Sequence, residues 1–269
     1  MRAIVFAILL IFTVDSNAMN EKNNIDPYLK SIDYTINNPN VNLIDCLYII
    51  NLDRRPERWQ KANQAFLSFD IHPTRFSAIN GWSFSEEEMQ KLMGLYPLRL
   101  SGGHFGCILS HLSILKHASV NDYNYIWVCE DDIIILEDPH QISDFVLKLT
   151  RISPYWDVIY TDREFKNKDG EIIFSVSHDF RPDLPHADVT FYRRKIKFTE
   201  DFYEIGQRFG THSMIISKQG INKILKFYRE NGIWASYDVD IHYIPGISEY
   251  SLSRDIVSQD ITSESDIDK

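Results

Sequence analysis

Residues 46–59 read CLYIINLDRRPERW, and this stretch decides the fold class. Its first five residues, Cys46 to Ile50, form a continuous apolar run of the kind found in strands buried on both faces of a parallel sheet. Pro56 suits the first turn of a helix, and apolar residues then recur at helical spacing through Phe66. The stretch therefore predicts a buried strand, a polar turn and an amphipathic helix.

The same alternation continues along the chain. Helices are predicted around residues 85–93, 108–115, 142–149 and 221–228, between strands around residues 74–79, 125–129, 156–160 and 214–216. This order is typical of an α/β fold with a single Rossmann-like, mostly parallel sheet flanked by helices. Ligands in such folds bind beyond the carboxyl ends of the strands. Residues 162–203 lack a clear period, and the polar tail from Ser251 is expected to pack loosely.

Composition limits the classes of protein to which the chain can belong. The 269 residues include 28 Lys and Arg against 38 Asp and Glu, which gives a net charge of −10 at pH 7. This acidic balance lacks the basic footprint of a nucleic-acid binder. Cys46, Cys107 and Cys129 are odd in number and lie in apolar runs, so we interpret them as small buried hydrophobes rather than a disulfide framework.

The N-terminus has the pattern of a targeting segment. Arg2 precedes an apolar run of about 12 residues, shorter than the roughly 20 that span a bilayer, and small residues follow it. We predict a signal peptide or short anchor over residues 1–18, a polar lead-in over residues 19–42 and one domain over residues 43–269. The protein is then exported or membrane-associated through its N-terminus only, in a bacterial envelope or secreted. An uncleaved anchor would also allow the cytoplasmic face.

Three consecutive acids, Glu130, Asp131 and Asp132, directly follow the strand predicted at residues 125–129. A divalent cation would relieve their mutual repulsion, because carboxylate oxygens suit Mg²⁺ and Mn²⁺. Glu130 and Asp132 point the same way in an extended chain and are candidate metal ligands. A solvated acidic turn is the alternative interpretation.

Basic side chains surround the first strand-to-helix junction. Arg54 and Arg58 lie near a helix N-terminus, where free N–H groups attract phosphate, and guanidinium groups bind phosphate in bidentate fashion. Pairing of Glu57 with an arginine on a solvated helix face is the alternative. A second basic cluster, residues 193–197 with Arg181, suits either an anionic acceptor or a solvated surface.

Several motifs in order resemble glycosyltransferase family 25, which includes bacterial lipooligosaccharide glycosyltransferases and collagen galactosyltransferases. Residues 47–59 resemble the opening of that family. The other matching pieces are FSAING (residues 76–81), GCILSH (106–111), EDD (130–132), IISKQG (215–220), VSQ (257–259) and SDI (265–267). The match covers residues 46–267. It departs from the family pattern at Asn80, where Asp is usual.

The resemblance implies a GT-A type fold and an inverting transfer of a hexose, commonly galactose from UDP-galactose, to a saccharide, glycolipid or protein hydroxyl. It places a divalent cation, Mn²⁺ by preference, on Glu130 and Asp132. It also places the donor near Asn51, Arg54, Arg58, Gly81 and Asp131. Inverting transfer needs a base. The candidates are Asp238 and Asp240, whose spacing would also serve a metal, with His242 as a further ligand.

Two other functions fit the same residues. A metal-dependent hydrolase would use the acids without a sugar donor, and a degenerate secreted protein would bind sugar without transferring it. A transferase should lose most activity and its metal dependence when Glu130 or Asp132 becomes Ala, whereas binding by a degenerate relative should survive. His111, in the GCILSH motif, is interpreted as a hydrogen-bonded structural histidine, with donor or acceptor contact as the alternative.

Overall fold

The computed structural model describes residues 24–173, 180–263 and 265–267, so the predicted targeting segment lies outside the described residues. The strands are β1 (Cys46–Asn51), β2 (Thr74–Ser77), β3 (Tyr125–Glu130), β4 (Ile133–Ile135), β5 (Val158–Tyr160), β6 (Lys195–Lys197), β7 (Phe202–Ile205), β8 (Ser213–Ser217), β9 (Glu249–Leu252) and β10 (Val257–Gln259). The α-helices are α1 (Pro56–Leu67), α2 (Glu86–Leu92), α3 (Gly102–Val120), α4 (Gln141–Ile152), α5 (Val189–Tyr192), α6 (Lys218–Asn231) and α7 (Tyr237–Asp240).

Eight of these strands form one sheet in the order β2-β1-β3-β8-β5-β9-β7-β6. Neighbours pair in parallel at β2-β1, β1-β3 and β5-β9 and antiparallel elsewhere, so six strands run one way and only β7 and β8 run against them. The remaining strands, β4 and β10, form a separate antiparallel pair. The predicted α/β fold with a mostly parallel sheet flanked by helices is confirmed.

Side chains alternate along the central strands between two apolar layers. Tyr48 and Val128 face the layer that α3 and α6 cover, while Leu47 and Trp127 face the layer that α1 and α4 cover. This alternation follows from the two-residue period of a strand and explains why the strands read as continuous apolar runs. None of the helices within the described ranges has both the length and the apolar character needed to cross a membrane.

Local signals placed several helix ends correctly. Ser85 and Glu88 form the predicted capping box before α2, and Gly232 follows α6 with a φ of 65°, a conformation that glycine adopts without strain. The prediction that the tail from Ser251 packs loosely is wrong, and part of the polar lead-in also packs against the core. Ser251 and Val257 are fully buried in β9 and β10, and Ile25 packs in the core. Both segments carry polar residues that find partners only in the folded chain, which hides their burial from sequence patterns.

Candidate active site

A cavity of about 160 Å³ lies at the carboxyl ends of β1 and β3. Its walls come from the residues after those strands, the segment of residues 78–82, the first turns of α3 and residues 265–267 of the tail. Because β1, β2 and β3 are parallel, their carboxyl ends meet at one edge of the sheet. Ligand sites of α/β folds form at this edge.

Close packing of glycines brings the segment of residues 78–82 to the cavity. A Cβ atom on Gly81 would fall on the carbonyl oxygen of Gly102, and one on Gly106 would collide with the carbonyl oxygen of Ile79. The hydroxyl of Ser110 fixes the contact, since it accepts from the Ile79 N–H at 2.8 Å and donates to the Gly106 carbonyl at 2.6 Å. Gly81, predicted to bind the donor, therefore lines the cavity through its backbone.

Glu130 and Asp132 both line the cavity and differ in their surroundings. Glu130 Oε1 accepts from Thr211 Oγ1 at 2.8 Å and lies 3.6 Å from His111 Nε2. Burial acts to raise the pKa of Glu130, but the His111 imidazole and the Thr211 hydroxyl outweigh it and leave the pKa lowered. Asp132 Oδ2 accepts from Gln259, and Oδ1 is buried with no hydrogen-bond partner within the described ranges. Burial, followed by the Glu130 charge, raises the pKa of Asp132 to about 6.

Asp131, the middle acid, is held by side chains from the β1 end of the sheet. Its Oδ2 accepts from Asn51 Nδ2 at 2.6 Å, and its Oδ1 lies 3.3 Å from Arg58 Nη1. The Asn51 amide also donates to the Arg55 carbonyl and accepts from the Arg75 guanidinium. Asn51 is 1% exposed and does not line the cavity. The predicted contact between Asn51 and the donor is therefore corrected, because the Asn51 side chain holds Asp131 in position instead.

Three arginines converge on one carboxylate of the tail. Arg55 Nη1 lies 3.0 and 2.9 Å from the two oxygens of Asp266, while Arg54 approaches within 3.4 Å and Arg58 within 3.6 Å. Arg58 and Asp266 also line the cavity. Guanidinium groups that grip a carboxylate in this way equally suit phosphate oxygens. The structure thus brings the predicted Arg54 and Arg58 together at Asp266. It also places Arg55, which was not among the predicted residues, at the same carboxylate.

Donor atoms of Cys107, His111 and Glu130 lie within 4.8 Å of one another beside the cavity. Both ring nitrogens of His111 are buried without a hydrogen-bond partner among the described residues, contrary to the interpretation as a hydrogen-bonded structural histidine. Cys107 is partly buried and packs against the core, as interpreted from the sequence, and it also lines the cavity. A buried nitrogen without a partner is costly unless a ligand satisfies it, and the three residues offer one sulfur, one nitrogen and one oxygen atom close together, so they fit a divalent cation.

Asp240, a predicted base, does not reach the cavity. Its side chain is fully buried against Arg181, with Oδ1 and Nη1 3.0 Å apart, and its Oδ2 accepts from the Trp234 N–H at 3.1 Å. Arg181 also donates to the carbonyl oxygens of Asn231, the last residue of α6, and Gly232, the residue after it. Burial raises the pKa of Asp240 to about 6 despite the Arg181 charge. Asp240 is therefore a structural ion-pair residue.

Both ring nitrogens of His242, a predicted metal ligand, contact other groups of the protein. Its Nδ1 lies 2.7 Å from Glu249 Oε2, and its Nε2 lies 2.9 Å from the carbonyl oxygen of Arg208. Burial acts to lower the pKa of His242, but the Glu249 carboxylate outweighs it and raises the pKa. The side chain is buried and does not line the cavity, which removes it from the candidate ligands.

Asp238, the other member of the predicted pair, does not line the cavity either. Its carboxylate is half-buried and accepts from the Gly210 N–H at 3.1 Å. Burial, and then the charges of Glu130, Asp238 and Asp132, raise the pKa of the Cys107 thiol, so the three acids act on one cavity-lining group. Asp238 and Asp240 separate because they lie on a helix, where residues two apart point in different directions.

A buried polar network behind Glu130 was missed from the sequence. The Glu130 N–H donates to the His212 carbonyl, and the His212 ring lies 2.9 Å from Asp162 Oδ2. Asp162 also pairs with Arg208 at 2.9 Å and accepts from Ser258 at 2.8 Å. Burial acts to raise the pKa of Asp162, but the Arg208 and His212 charges outweigh it and lower the pKa. No local motif marks these residues, because they meet from distant parts of the chain.

The fold and site together describe an α/β protein with a cavity of acids and arginines at its strand ends. The family model of glycosyltransferase family 25 (LPS biosynthesis protein) matches residues 45–242. The chain therefore belongs to glycosyltransferase family 25, as its motifs predicted.

Similar proteins include glycosyltransferase 25 family members from two flies. The Drosophila melanogaster protein is 26% identical over 192 residues, which are 68% of this chain and 28% of that protein. The Drosophila pseudoobscura pseudoobscura protein is 29% identical over 48% of this chain and 22% of its own length. The inactive glycosyltransferase 25 family member 3 of Homo sapiens is 27% identical over 47% of this chain and 23% of its own. The chain thus spans about a quarter of the length of these relatives.

Among solved structures, the crystal structure of A197 from STIV covers 77% of this chain and 81% of its own at a TM-score of 0.39 and 14% identity. A likeness this distant does not bear on the function.

Proposed function

We propose that the protein is an inverting glycosyltransferase that moves a hexose, galactose first, from a nucleotide-sugar donor to a saccharide, glycolipid or protein hydroxyl. Family membership supports transfer of a sugar in general. One observation supports a donor site in this cavity: three arginines contact the Asp266 carboxylate, which lines the same cavity as Glu130 and Asp132. A cavity that offers cationic and anionic groups side by side suits a donor diphosphate together with a divalent cation. UDP-galactose is the first donor to test.

The proposal assigns the cation, Mn²⁺ first, to the acids of the cavity. When bound, a divalent cation would act as a Lewis acid that stabilises the leaving diphosphate. The protein side chains prepare this position, since Thr211 holds Glu130 and Gln259 holds one oxygen of Asp132. Arg58, held beside Asp131, would contact the diphosphate next to these acids.

Asp238 is our candidate for the base that accepts the proton of the acceptor hydroxyl. Its carboxylate is fixed by the Gly210 N–H and remains partly exposed, so it can reach an acceptor. Replacement by Asn would preserve shape and remove the basic oxygen. The proposal therefore predicts that Asp238→Asn lowers kcat by at least about a hundredfold while donor binding, measured by calorimetry with UDP, stays close to wild type.

A second candidate function is sugar binding without transfer. Relatives named inactive match about half of this chain, and Asn80, which stands where the family usually has Asp, lines the cavity. An amide in place of a carboxylate loses a negative charge that could recognise sugar hydroxyls or a cation. This candidate predicts donor binding with no release of nucleotide.

Release of nucleotide from a panel of sugar nucleotides by the full chain, with Mn²⁺ and with chelator, tests these candidates. Cation-dependent UDP release from UDP-galactose, lost in Glu130→Gln and Asp132→Asn, would support the transferase. A matched control is Asp70→Asn, whose carboxylate is 80% exposed and outside the cavity. Donor binding without release, with and without acceptor sugars, would favour the second candidate. Turnover of a sugar-free phosphoester would instead favour the hydrolase considered from the sequence.

The proposed location rests on the N-terminal sequence alone. We propose that the protein is exported or membrane-associated, because residues 1–18 have the pattern of a signal peptide or short anchor. Fractionation of expressing cells followed by N-terminal sequencing checks this. A mature chain that begins at Met19 in the exported fraction would support cleavage, and an intact chain in the soluble cytoplasmic fraction would contradict the proposal.

A further inference from the structure

Two cavity-lining side chains of α3, Cys107 and His111, take no part in the proposed handling of the donor. They lie four residues apart, so they occupy the same face of the helix. That face is turned toward Glu130, whose Oε1 lies 3.6 Å from His111 Nε2. No two donor atoms of the three residues are more than 4.8 Å apart, about twice a metal–ligand bond. One ion between them can therefore touch all three with small side-chain adjustments.

His111 provides independent evidence for a ligand. Its side chain is 1% exposed, yet in the described part of the chain neither ring nitrogen has a hydrogen-bond partner, and Nε2 faces only the Glu130 carboxylate at 3.6 Å. Buried imidazole nitrogens ordinarily satisfy at least one polar group. The ring is nevertheless held in place, because it stacks on Tyr237 with centroids 4.5 Å apart. A histidine that packing orients and that hydrogen bonding leaves free is prepared to coordinate an ion.

We propose that Cys107, His111 and Glu130 form a transition-metal site that supplies one thiolate, one imidazole and one carboxylate ligand. This proposal rests on the proposed function and refines it: the single cation of the donor cavity is held by Glu130 together with Cys107 and His111, and these ligands change the expected ion from Mn²⁺ to Zn²⁺ or Co²⁺. Sulfur and nitrogen ligands favour Zn²⁺ and Co²⁺ over Mg²⁺, and three protein ligands leave a position open for a substrate oxygen. On binding, the Cys107 thiol loses its proton to solvent as the metal–sulfur bond forms, with no change of oxidation state. His111 thus replaces the predicted His242 in the ligand set.

Cobalt binding to the metal-free full chain tests the proposal without any enzymatic assay. The expected result is one Co²⁺ per chain, with a thiolate-to-cobalt charge-transfer band in the near ultraviolet, and displacement by Zn²⁺ but not by equimolar Mg²⁺. Cys107→Ser should remove the charge-transfer band and weaken binding at least about tenfold. A matched control is Cys129→Ser, a buried cysteine outside the cavity, which should retain the band.

The His111 variant is chosen to preserve the fold. His111→Phe keeps a ring to stack on Tyr237 but has no ligand atom, so we expect a near-native melting temperature and at least about tenfold weaker Co²⁺ binding. His140→Phe, at a surface position 40% exposed, is the matched control. Co²⁺ binding without the near-ultraviolet band, or wild-type affinity in His111→Phe, would overturn the proposal.

Failure of this proposal and failure of the proposed function give different results. Cation-dependent UDP release that is unchanged in His111→Phe and Cys107→Ser would overturn the metal site and leave the transferase intact. The cobalt spectrum together with an absence of donor binding would support the metal site and reject the transferase.

Discussion

Replacement of Asp240 separates a structural role from the catalytic role that its spacing with Asp238 suggests. Asp240 and Arg181 are both fully buried, with a 3.0 Å contact between them. Asp240→Ala leaves the Arg181 guanidinium with only Asp183 as an acidic partner in the described structure. Loss of one partner of a buried ion pair costs about 3–5 kcal/mol, because the remaining charge is poorly solvated. We therefore expect the free energy of unfolding to fall by about that amount.

Chemical denaturation followed by tryptophan fluorescence measures this loss. Trp234 is a suitable reporter because it is buried and its backbone N–H contacts Asp240. The double variant Arg181→Met with Asp240→Leu should recover at least half of the stability, because an apolar pair removes both buried charges. Recovery should be incomplete because Arg181 also donates to the carbonyl oxygens of Asn231 and Gly232.

Asp238→Asn is the matched comparison, two residues earlier on the same helix. We expect its unfolding free energy to change by less than about 1 kcal/mol, because the partly exposed side chain loses at most one hydrogen bond. Wild-type stability of Asp240→Ala combined with abolished UDP release would refute this reasoning and restore Asp240 as the base.

Three further outcomes follow from the site and the fold. Asp266→Asn should remove the negative charge that Arg54, Arg55 and Arg58 share and tighten UDP binding by about threefold to tenfold in calorimetry; unchanged affinity would count against a phosphate site there. Gly81→Ala should lose about 1–3 kcal/mol of stability in thermal unfolding, since its Cβ would fall on the Gly102 carbonyl oxygen; a wild-type melting temperature would contradict this packing. Because the pKa of Asp240 rises from 3.8 to about 6 on folding, wild type should gain stability relative to the double variant as pH falls from 7 toward 4; a pH-independent difference would argue against that shift.

Much of the fold and one edge of the site could be predicted because the signals are local. The apolar run of β1 and the helical spacing after Pro56 fix a strand and a helix without reference to the rest of the chain. The acids that follow β3 then had to lie at the same sheet edge as the end of β1, because parallel strands align their carboxyl ends. This reasoning placed Glu130, Asp132 and Arg58 at the cavity.

The predictions for Asp240 and His242 failed because a residue spacing has no meaning until the local conformation is known. Residues two apart share a face in a strand, but α7 is helical and turns by about 100° per residue, so residues two apart diverge by about 200°. Asp238 therefore stays partly exposed while Asp240 faces Arg181, whose position 59 residues away in sequence gives no local clue.

The role proposed for His111 could not be predicted for a different reason. It depends on the lack of hydrogen-bond partners for its ring nitrogens among the described residues. A sequence shows which residues could donate or accept, but only the assembled structure shows that none of the residues it describes hydrogen-bonds to either ring nitrogen. Asn51 is the complementary case, because its amide is fully used by Asp131, Arg55 and Arg75, two of them from other elements.

Asp266 shows how the two kinds of information combine. Its SDI motif resembled the family tail, but sequence alone gave no reason for the acid. In the structure, its carboxylate lies among the guanidinium groups of Arg54, Arg55 and Arg58. Partly buried cations that repel one another need an anion whether or not a substrate is bound. A carboxylate of the same chain meets this need, and a donor phosphate would have to compete with it for the same guanidinium groups.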